Sequence, residues 1–599
     1  MRYSYNPVKN RLTGAFKMTL KKKSGAFIVV ALMMLLLTDA FSQSHLIIST
    51  REDVPSAVRK KWPSTQVRDS ADAARSVNRL LAYLYDNGYL EANADSIVRL
   101  GDTLRVSLHT GKQYKWVKLI NSNIDEGWLS EAGFRDRFFE SRPVSPEKLR
   151  RMNEKILNWC ENNGYPFASI RYDQFVFDNE NVSASVILNT ERLITIDSVI
   201  VMGEPKLSTV YISNYIGVKP GDVYNESVIR KIPGRIKELP MVTETRAFNI
   251  AFTENTARVI LYLQDKKASQ IDGVVGVLPD NNNTGKVQLT GDLRLRLLSS
   301  FGRGELFDLN WKQPRSKTQD LKVNLNYPFI LNTPFGIDLK LAIYKSDTSY
   351  LETTLGAGLQ FLLRQGSFLK LFVEDKNSSL LSTKQYENAT VLPPFADVRK
   401  TMYGAALKFI NVDYRLNPSK GYIIDFSAGA GNRNISKNGK INPEVYDSLE
   451  LKSLQYNGEI SADMYIRVLP KFILNPGVKT GGLGGNSTFD NELYRLGGLN
   501  SLRGFDEESI NASLFAIGKV EIRYVLEQNS FLQLFFNGAW YERNSNSGYV
   551  SDKPIGFGAG ITFDTRLGIF SFNYALGREF SNPVQFRAAK IHFGLVNYF

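Results

Sequence analysis

The sequence predicts a transmembrane antiparallel β-barrel of about sixteen strands, preceded by two or three small α+β modules. Three observations carry this reading. The C-terminal half alternates apolar and polar residues with period two over long runs. The N-terminal half repeats a unit of one helix followed by strands. The chain opens on the pattern of an export signal, and nothing after it approaches the ~18 consecutive apolar residues of a membrane-spanning helix.

The export signal comes first. Lys21, Lys22 and Lys23 form its positive region, and Gly25 to Leu37 is an apolar run too short to cross a bilayer as a helix. Ala40 and Ser42 stand at the spacing a signal peptidase reads. Cleavage near Ser42 or Gln43 makes residues 1–43 a signal peptide, with Met18 as the more ordinary start. The formal net charge of +14, from 74 Lys plus Arg and 60 Asp plus Glu, includes several leader charges. No basic helix, zinc spacing or aromatic stacking motif accompanies it, which argues against nucleic acid. A polar lumen and charged loops accommodate the remainder. The single Cys160 excludes a disulfide framework within the chain and reads as a small core residue.

The modules follow. Arg79 to Tyr89 is an amphipathic helix that stops at Asn-Gly, and Thr103 to His109 is a strand. Leu149 to Tyr165 repeats the helix down to the closing Asn-Gly-Tyr, with strands at Ala168 to Phe177 and Val182 to Leu188. A third unit has a helix at Glu226 to Leu239 and strands at Thr245 to Phe252 and Ala257 to Gln264. The boundaries expected are 44–112, 113–192 and 193–266. The polar start, Ser44 to Asp69, reads either as a linker or as the beginning of the first module.

From 267 to 599 the period is two. Leu293, Leu295 and Leu297 alternate with Asp292, Arg294 and Arg296, and Phe307, Leu309 and Trp311 alternate with Asp308, Asn310 and Lys312. Soluble sandwiches alternate too, but these strands are long and carry aromatics near their ends, such as Tyr327, Phe329, Trp540 and Tyr541. No helix pattern in this region offers to cover a sheet face. In hydrocarbon a sheet satisfies its backbone only by closing. The last strand puts Ile591, Phe593 and Leu595 on one face and ends on the aromatic Phe599, with Asn597 interrupting the row.

Gly497 to Ser513, GGLNSLRGFDEESINAS, carries a specific resemblance. It is similar to the loop motif of the outer-membrane protein assembly and translocation superfamily, the group of BamA, TamA and the two-partner secretion transporters. The core is Arg503-Gly504-Phe505 after a Gly-Gly turn. Glu521 to Tyr524, Phe535 to Ala539, Ile555 to Phe563 and Leu567 to Tyr574 resemble the strands that follow it in that family. The upstream repeats resemble its periplasmic POTRA modules, of β-α-α-β-β order. The resemblance implies that the loop folds back into the barrel, where Arg503 meets carboxylates of the wall. A guanidinium presents a rigid, permanently charged fork suited to that task. The family has Asp where this chain has Asn537, an amide that accepts a hydrogen bond without charge. Glu521, the adjacent Asp506 or Glu507 are the alternative partners.

The resemblance also implies function: an outer-membrane factor that inserts or secretes client polypeptides. The modules would capture extended clients by strand addition, and the barrel seam or lumen would pass them on. The seam joins the first strand, Ile271 to Val277, to the last, Lys590 to Phe599, and Gly273 and Gly276 thin the packing of that first strand. A dedicated two-partner secretion transporter is the alternative, and a passive porin a more distant one. The implied partners are client outer-membrane or secreted polypeptides and outer-membrane lipid, with accessory periplasmic or inner-membrane proteins left open. No enzyme, metal or cofactor is expected: His45, His109 and His592 are scattered, and no G-x-S-x-G elbow is present.

Overall fold

The computed structural model describes residues 44–598 except 64, 132–139, 280–286, 316, 364–365, 388–390, 415–416 and 486–487. The signal peptide expected over residues 1–43 and Phe599 therefore lie outside the described residues. The chain divides into two compact units, Met1–Trp159 with Ala168–Thr190, and Cys160–Phe167 with Glu191–Phe599.

The first unit holds two sheets of similar topology. β1 (Ser44–Ser49), β2 (Gln66–Val67), β3 (Asn93–Leu100) and β4 (Thr103–His109) are ordered β2-β1-β4-β3, with β1 parallel to β4. β5 (Lys115–Asn121), β6 (Ser169–Asp178) and β7 (Asn181–Asn189) are ordered β5-β7-β6, with β5 parallel to β7. Within the polar stretch Ser44 to Asp69, β1 and β2 pair with each other. The helix expected from Arg79 begins earlier, at Ser70, because the Asp69 carboxylate accepts from the Asp72 N–H at 2.6 Å and caps it. Ala73, Val77, Leu80 and Leu84 are its buried face, and Gly88, at φ +88°, follows its end. The second long helix runs Pro146–Asn162, with proline at a position that needs no N–H.

The second unit opens with the same plan. β8 (Thr195–Met202), β9 (Val242–Phe252) and β10 (Thr256–Asp265) are ordered β8-β10-β9, with β8 parallel to β10. The helix expected over Glu226 to Leu239 is two pieces, Glu226–Ile229 and Ile232–Glu238. Pro233 sits in the first turn of the second piece, where it cannot continue the helix before it. Cys160 is buried, and burial pushes its thiol up to about 11.

The barrel follows directly. Its strands are β11 (Gln270–Pro279), β12 (Val287–Leu298), β13 (Leu306–Arg315), β14 (Thr318–Tyr327), β15 (Phe335–Ser346), β16 (Tyr350–Leu362), β17 (Phe368–Leu380), β18 (Asp397–Val412), β19 (Gly421–Ser436), β20 (Lys452–Leu469) and β21 (Phe472–Gly484). A small hairpin, β22 (Tyr494–Leu496) and β23 (Ile510–Ala512), interrupts the wall. The wall resumes with β24 (Leu514–Glu527), β25 (Ser530–Ser545), β26 (Gly548–Asp552), β27 (Ile555–Thr565), β28 (Gly568–Arg578) and β29 (Lys590–Tyr598). β26 and β27 both pair with β25 and form one wall strand, so sixteen antiparallel strands close the barrel through β11 and β29. The wall is uneven. β18 and β19 register sixteen residue pairs, whereas β11 and β29 register eight, from Gln270–Tyr598 to Val277–Ile591.

The module nearest the barrel is fastened to two of its turns. The Ser208 N–H donates to the Gly302 carbonyl at 2.7 Å, and Lys219 Nζ donates to the Asn332 carbonyl at 2.8 Å. The Tyr211 and Phe329 rings meet edge to face at 5.5 Å. Gly304, at φ +73°, lies so close that a Cβ there would fall 2.0 Å from the Tyr211 ring. Gly304→Ala should therefore cost about 1–3 kcal/mol at this junction. Limited proteolysis should cut the 266–269 connection roughly tenfold faster in the variant; an unchanged rate would mean that this contact does not hold the module.

Candidate functional site

The segment between β21 and β24 enters the barrel instead of leaving it. Its turn is built by glycine and by its own side chains. Gly497 and Gly498 take φ of +112° and +93°, a region closed to most residues. Ser501 Oγ accepts from the Gly497 N–H and donates to its carbonyl, and Glu507 accepts from the Leu499 N–H at 2.8 Å. Glu507, one of the alternative partners the sequence offered for Arg503, is instead an internal brace of the loop. Leu496, Leu502, Phe505 and Ile510 bury against Phe515 and Tyr541 of the wall.

Arg503 reaches β24 and β25. Its Nη1 donates to Glu521 Oε2 at 2.7 Å and its Nε to Asn537 Oδ1 at 3.2 Å, and the guanidinium lies 3.7 Å from the Phe535 ring centre. Arg523 holds the other oxygen of Glu521 at 2.6 Å. One carboxylate thus joins two guanidinium groups, and Arg503 and Glu521 are both buried. Asp506 does not serve Arg503; it pairs with Lys590 on the closing strand β29. Gly504, at φ +97°, brings the loop backbone against β28, and a Cβ there would stand 2.4 Å from the Leu576 carbonyl. Gly556 and Gly577 make the matching hollow, since a Cβ on either would strike the Arg503 or Gly504 carbonyl.

A second set of contacts holds the same segment to the far wall, and sequence reasoning did not find it. Glu492 is gripped in bidentate fashion by Arg433, at 2.8 and 2.7 Å, and by Lys400 at 2.8 Å. Arg495 pairs with Glu352 at 3.0 Å and lies 3.5 Å from the centre of the Tyr344 ring. Lys376 holds Glu352 from the other side at 2.8 Å. The segment is therefore a strut tied to β16, β18 and β19 at one end and to β24, β25 and β29 at the other. The only sequence signal was inward-facing charge on alternating strands, which does not choose partners.

The Omp85 superfamily domain matches residues 299–599, just over half of the chain. The chain belongs to the Omp85 superfamily. No curated protein matches it in sequence. Among solved structures, CdiB from Acinetobacter baumannii is similar with a TM-score of 0.51 at 13% identity, over 92% of this chain and 100% of its own. CdiB from Escherichia coli gives 0.51 at 12%, over 91% and 100%. BamA from Haemophilus ducreyi, lacking POTRA domains 1–3, gives 0.44 at 13%, over 82% and 100%. As a member of the superfamily, this Omp85 protein works in assembly or translocation of polypeptides at the bacterial outer membrane, with its N-terminal α+β modules in the periplasm.

The two seam glycines of this Omp85 barrel differ. Gly273 stands on the outer face with Ile271 and Val275, opposite Leu595, and nothing lies within 4 Å of where its Cβ would be. Gly276 faces inward, opposite His592, where a Cβ would fall 2.2 Å from Thr290 Oγ1. His592 lies on the lumen-side face of β29 and is buried. Phe599, the third seam residue expected from sequence, lies outside the described residues.

Two outcomes follow for the strut. Arg503→Ala should lower barrel stability by about 2 kcal/mol, less than a fully broken buried pair, because Arg523 still neutralises Glu521. The temperature at which the folded barrel loses its compact gel mobility should fall accordingly. Asn537→Asp supplies a second carboxylate to Arg503 and should raise that temperature; a fall would mean that Glu521 alone satisfies the guanidinium.

Proposed function

We propose that this Omp85 protein assembles client polypeptides into the outer membrane by strand exchange at the β11–β29 seam, with the strut as the part that holds the resting barrel. The observation that carries the reading is the unevenness of the wall. The outward apolar row on β20 runs from Tyr456 to Val468, while on β29 it runs only from Ile591 to Leu595 before Asn597. At ~3.4 Å per residue these are roughly 40 Å and roughly 14 Å along the strand. A hydrocarbon layer about 30 Å thick has to thin beside the short row. The seam thus lies on the closing strand β29, whose ladders of eight pairs with β11 and seven with β28 are among the shortest of the wall, and lipid resists insertion least there.

The lumen favours the same route. The strut crosses it on buried ion pairs, and on the outer side Phe489 at the strut's start is fully buried among Ile435 at the end of β19 and Ile441 and Tyr446 of the connection that follows. A passive porin needs an open lumen and no modules. Among the described residues β3, β6 and β9 are edge strands of the three module sheets. On β6 the exposed Phe175, Val176 and Phe177 suit an extended apolar client, though Gln174, at φ +53°, bulges the edge and limits pairing to short segments. Accessory periplasmic or inner-membrane proteins complete the proposal as partners, and no catalytic chemistry is assigned to the chain.

Gly273 and Leu595 face each other in register. Cysteines at both positions are expected to form a disulfide that closes the seam. Client barrels should then stop accumulating in the outer membrane and recover on reduction; full assembly by the oxidised form would sink the lateral route. Depletion with quantitative proteomics separates the two client classes. Broad loss of outer-membrane barrels is expected, whereas loss of one secreted protein with barrels intact would make the chain a dedicated transporter.

A further inference from the structure

The periplasmic rim of the barrel carries a feature that neither the strut nor the seam uses. β11 leaves the third module, so the strand ends near Gln270, Leu298, Tyr327, Leu362, Leu469, Glu527 and Thr565 lie on the periplasmic side. At or beside six of the turns on that side stands one exposed large apolar residue: Phe301, Leu331, Leu363, Leu469, Leu526 and Leu567. Leu331 is 93% exposed, Phe301 86% and Leu567 70%, values at which a side chain touches almost nothing of its own protein. Scattered single apolar residues on a surface need no explanation, but one per turn around a rim is a pattern. The short turns on the opposite side differ: Lys317, Asp347 to Ser349, and Asn546 with Ser547 are polar.

Local structure holds these tips outward. Phe329, Leu331 and Asn332 all take left-handed φ, at 53°, 51° and 60°, a conformation costly for a bulky residue unless its surroundings impose it. The imposing contacts are the Tyr211 ring on Phe329 and the Lys219 bond to Asn332. Basic residues flank three of the tips within two positions: Arg303 beside Phe301, Lys471 beside Leu469, and Arg566 beside Leu567. An apolar tip with a cation one or two residues away matches a bilayer boundary, with the tip in the acyl region and the cation among lipid phosphates. The rim is also continuous with the lipid-facing belt, because Phe335, Phe361 and Phe472 at the same ends of their strands are exposed on the wall.

We propose that the periplasmic turns form a lipid-anchoring ring, seated in the inner leaflet of the outer membrane. Because the third module is fastened to the turns bearing Phe301 and Leu331, the ring also holds that module at the membrane surface. The occupant of the ring is phospholipid; a polypeptide client is the rival that the test distinguishes.

The test uses the full chain in phosphatidylethanolamine–phosphatidylglycerol vesicles, without client, with Cys160→Ala removing the native thiol. An environment-sensitive fluorophore is placed by Leu331→Cys, by Leu567→Cys and, as a water-exposed reference in the β9–β10 turn of the third module, by Glu254→Cys. Lipids bearing a nitroxide high on the acyl chain should quench positions 331 and 567 roughly threefold more than position 254. Quenching equal to the reference at both positions would overturn the proposal. Because a label at one position can disturb its own turn, Phe301→Trp, read as the gain in lipid-quenchable emission over the parent protein, gives an independent measure. No gain there, together with quenching at 331 and 567 that appears only when an unfolded barrel client is added, would assign the ring to clients instead.

Discussion

A peptide group in hydrocarbon has no water to bond, and an unpaired one costs several kcal/mol. This constraint sets the form of the barrel. Every strand must be paired on both sides, so the sheet must close, and closure creates a seam where the first strand meets the last. Here the closing strand β29 has short ladders on both sides, eight registered pairs with β11 and seven with β28, against sixteen between β18 and β19. The wall satisfies the constraint everywhere with unequal margin, and the unequal margin is what a machine for moving polypeptides requires.

The strut answers the second requirement, that a wide barrel not collapse or leak. Three of its carboxylate contacts are buried, and each of these carboxylates serves two cations: Glu521 with Arg503 and Arg523, Glu492 with Arg433 and Lys400, Glu352 with Arg495 and Lys376. Doubling matters physically. A carboxylate stripped of water by one partner alone is poorly compensated, whereas two cations and the lumen's polar wall recover most of that loss. Removing one arm leaves no naked charge, so the strut can detach in stages.

The wall was legible from sequence because a strand's faces alternate residue by residue, so Leu293, Leu295 and Leu297 announce their orientation without knowledge of neighbours. Arg503, Glu521 and Asn537 were legible as candidates because a specific motif stands at ordered distances from its strands. The far-wall partners were not. Glu492 meets Arg433 and Lys400 across fifty-nine and more residues of chain, and alternation says only that such residues face inward. Helix limits failed for local reasons: Asp69 capped one helix earlier than its apolar stripe implied, and Pro233 divided another. Asp506 shows the general limit. Arg503 is only three residues away in sequence, yet the partner of Asp506 is Lys590 on the last strand, a choice made by barrel closure.

The strut has a bearing on how this protein comes to exist. Its two ends are bound to opposite walls, and buried glycine contacts at Gly504, Gly556 and Gly577 leave no clearance beside them. A segment so enclosed is not threaded into a finished cylinder. The strands must gather around it, with β16 to β19 recruited at Glu492 and Arg495 and β24, β25 and β29 at Arg503 and Asp506. The segment is then a mandrel on which the chain winds its own wall, and the last strand reaches the first already guided by Lys590.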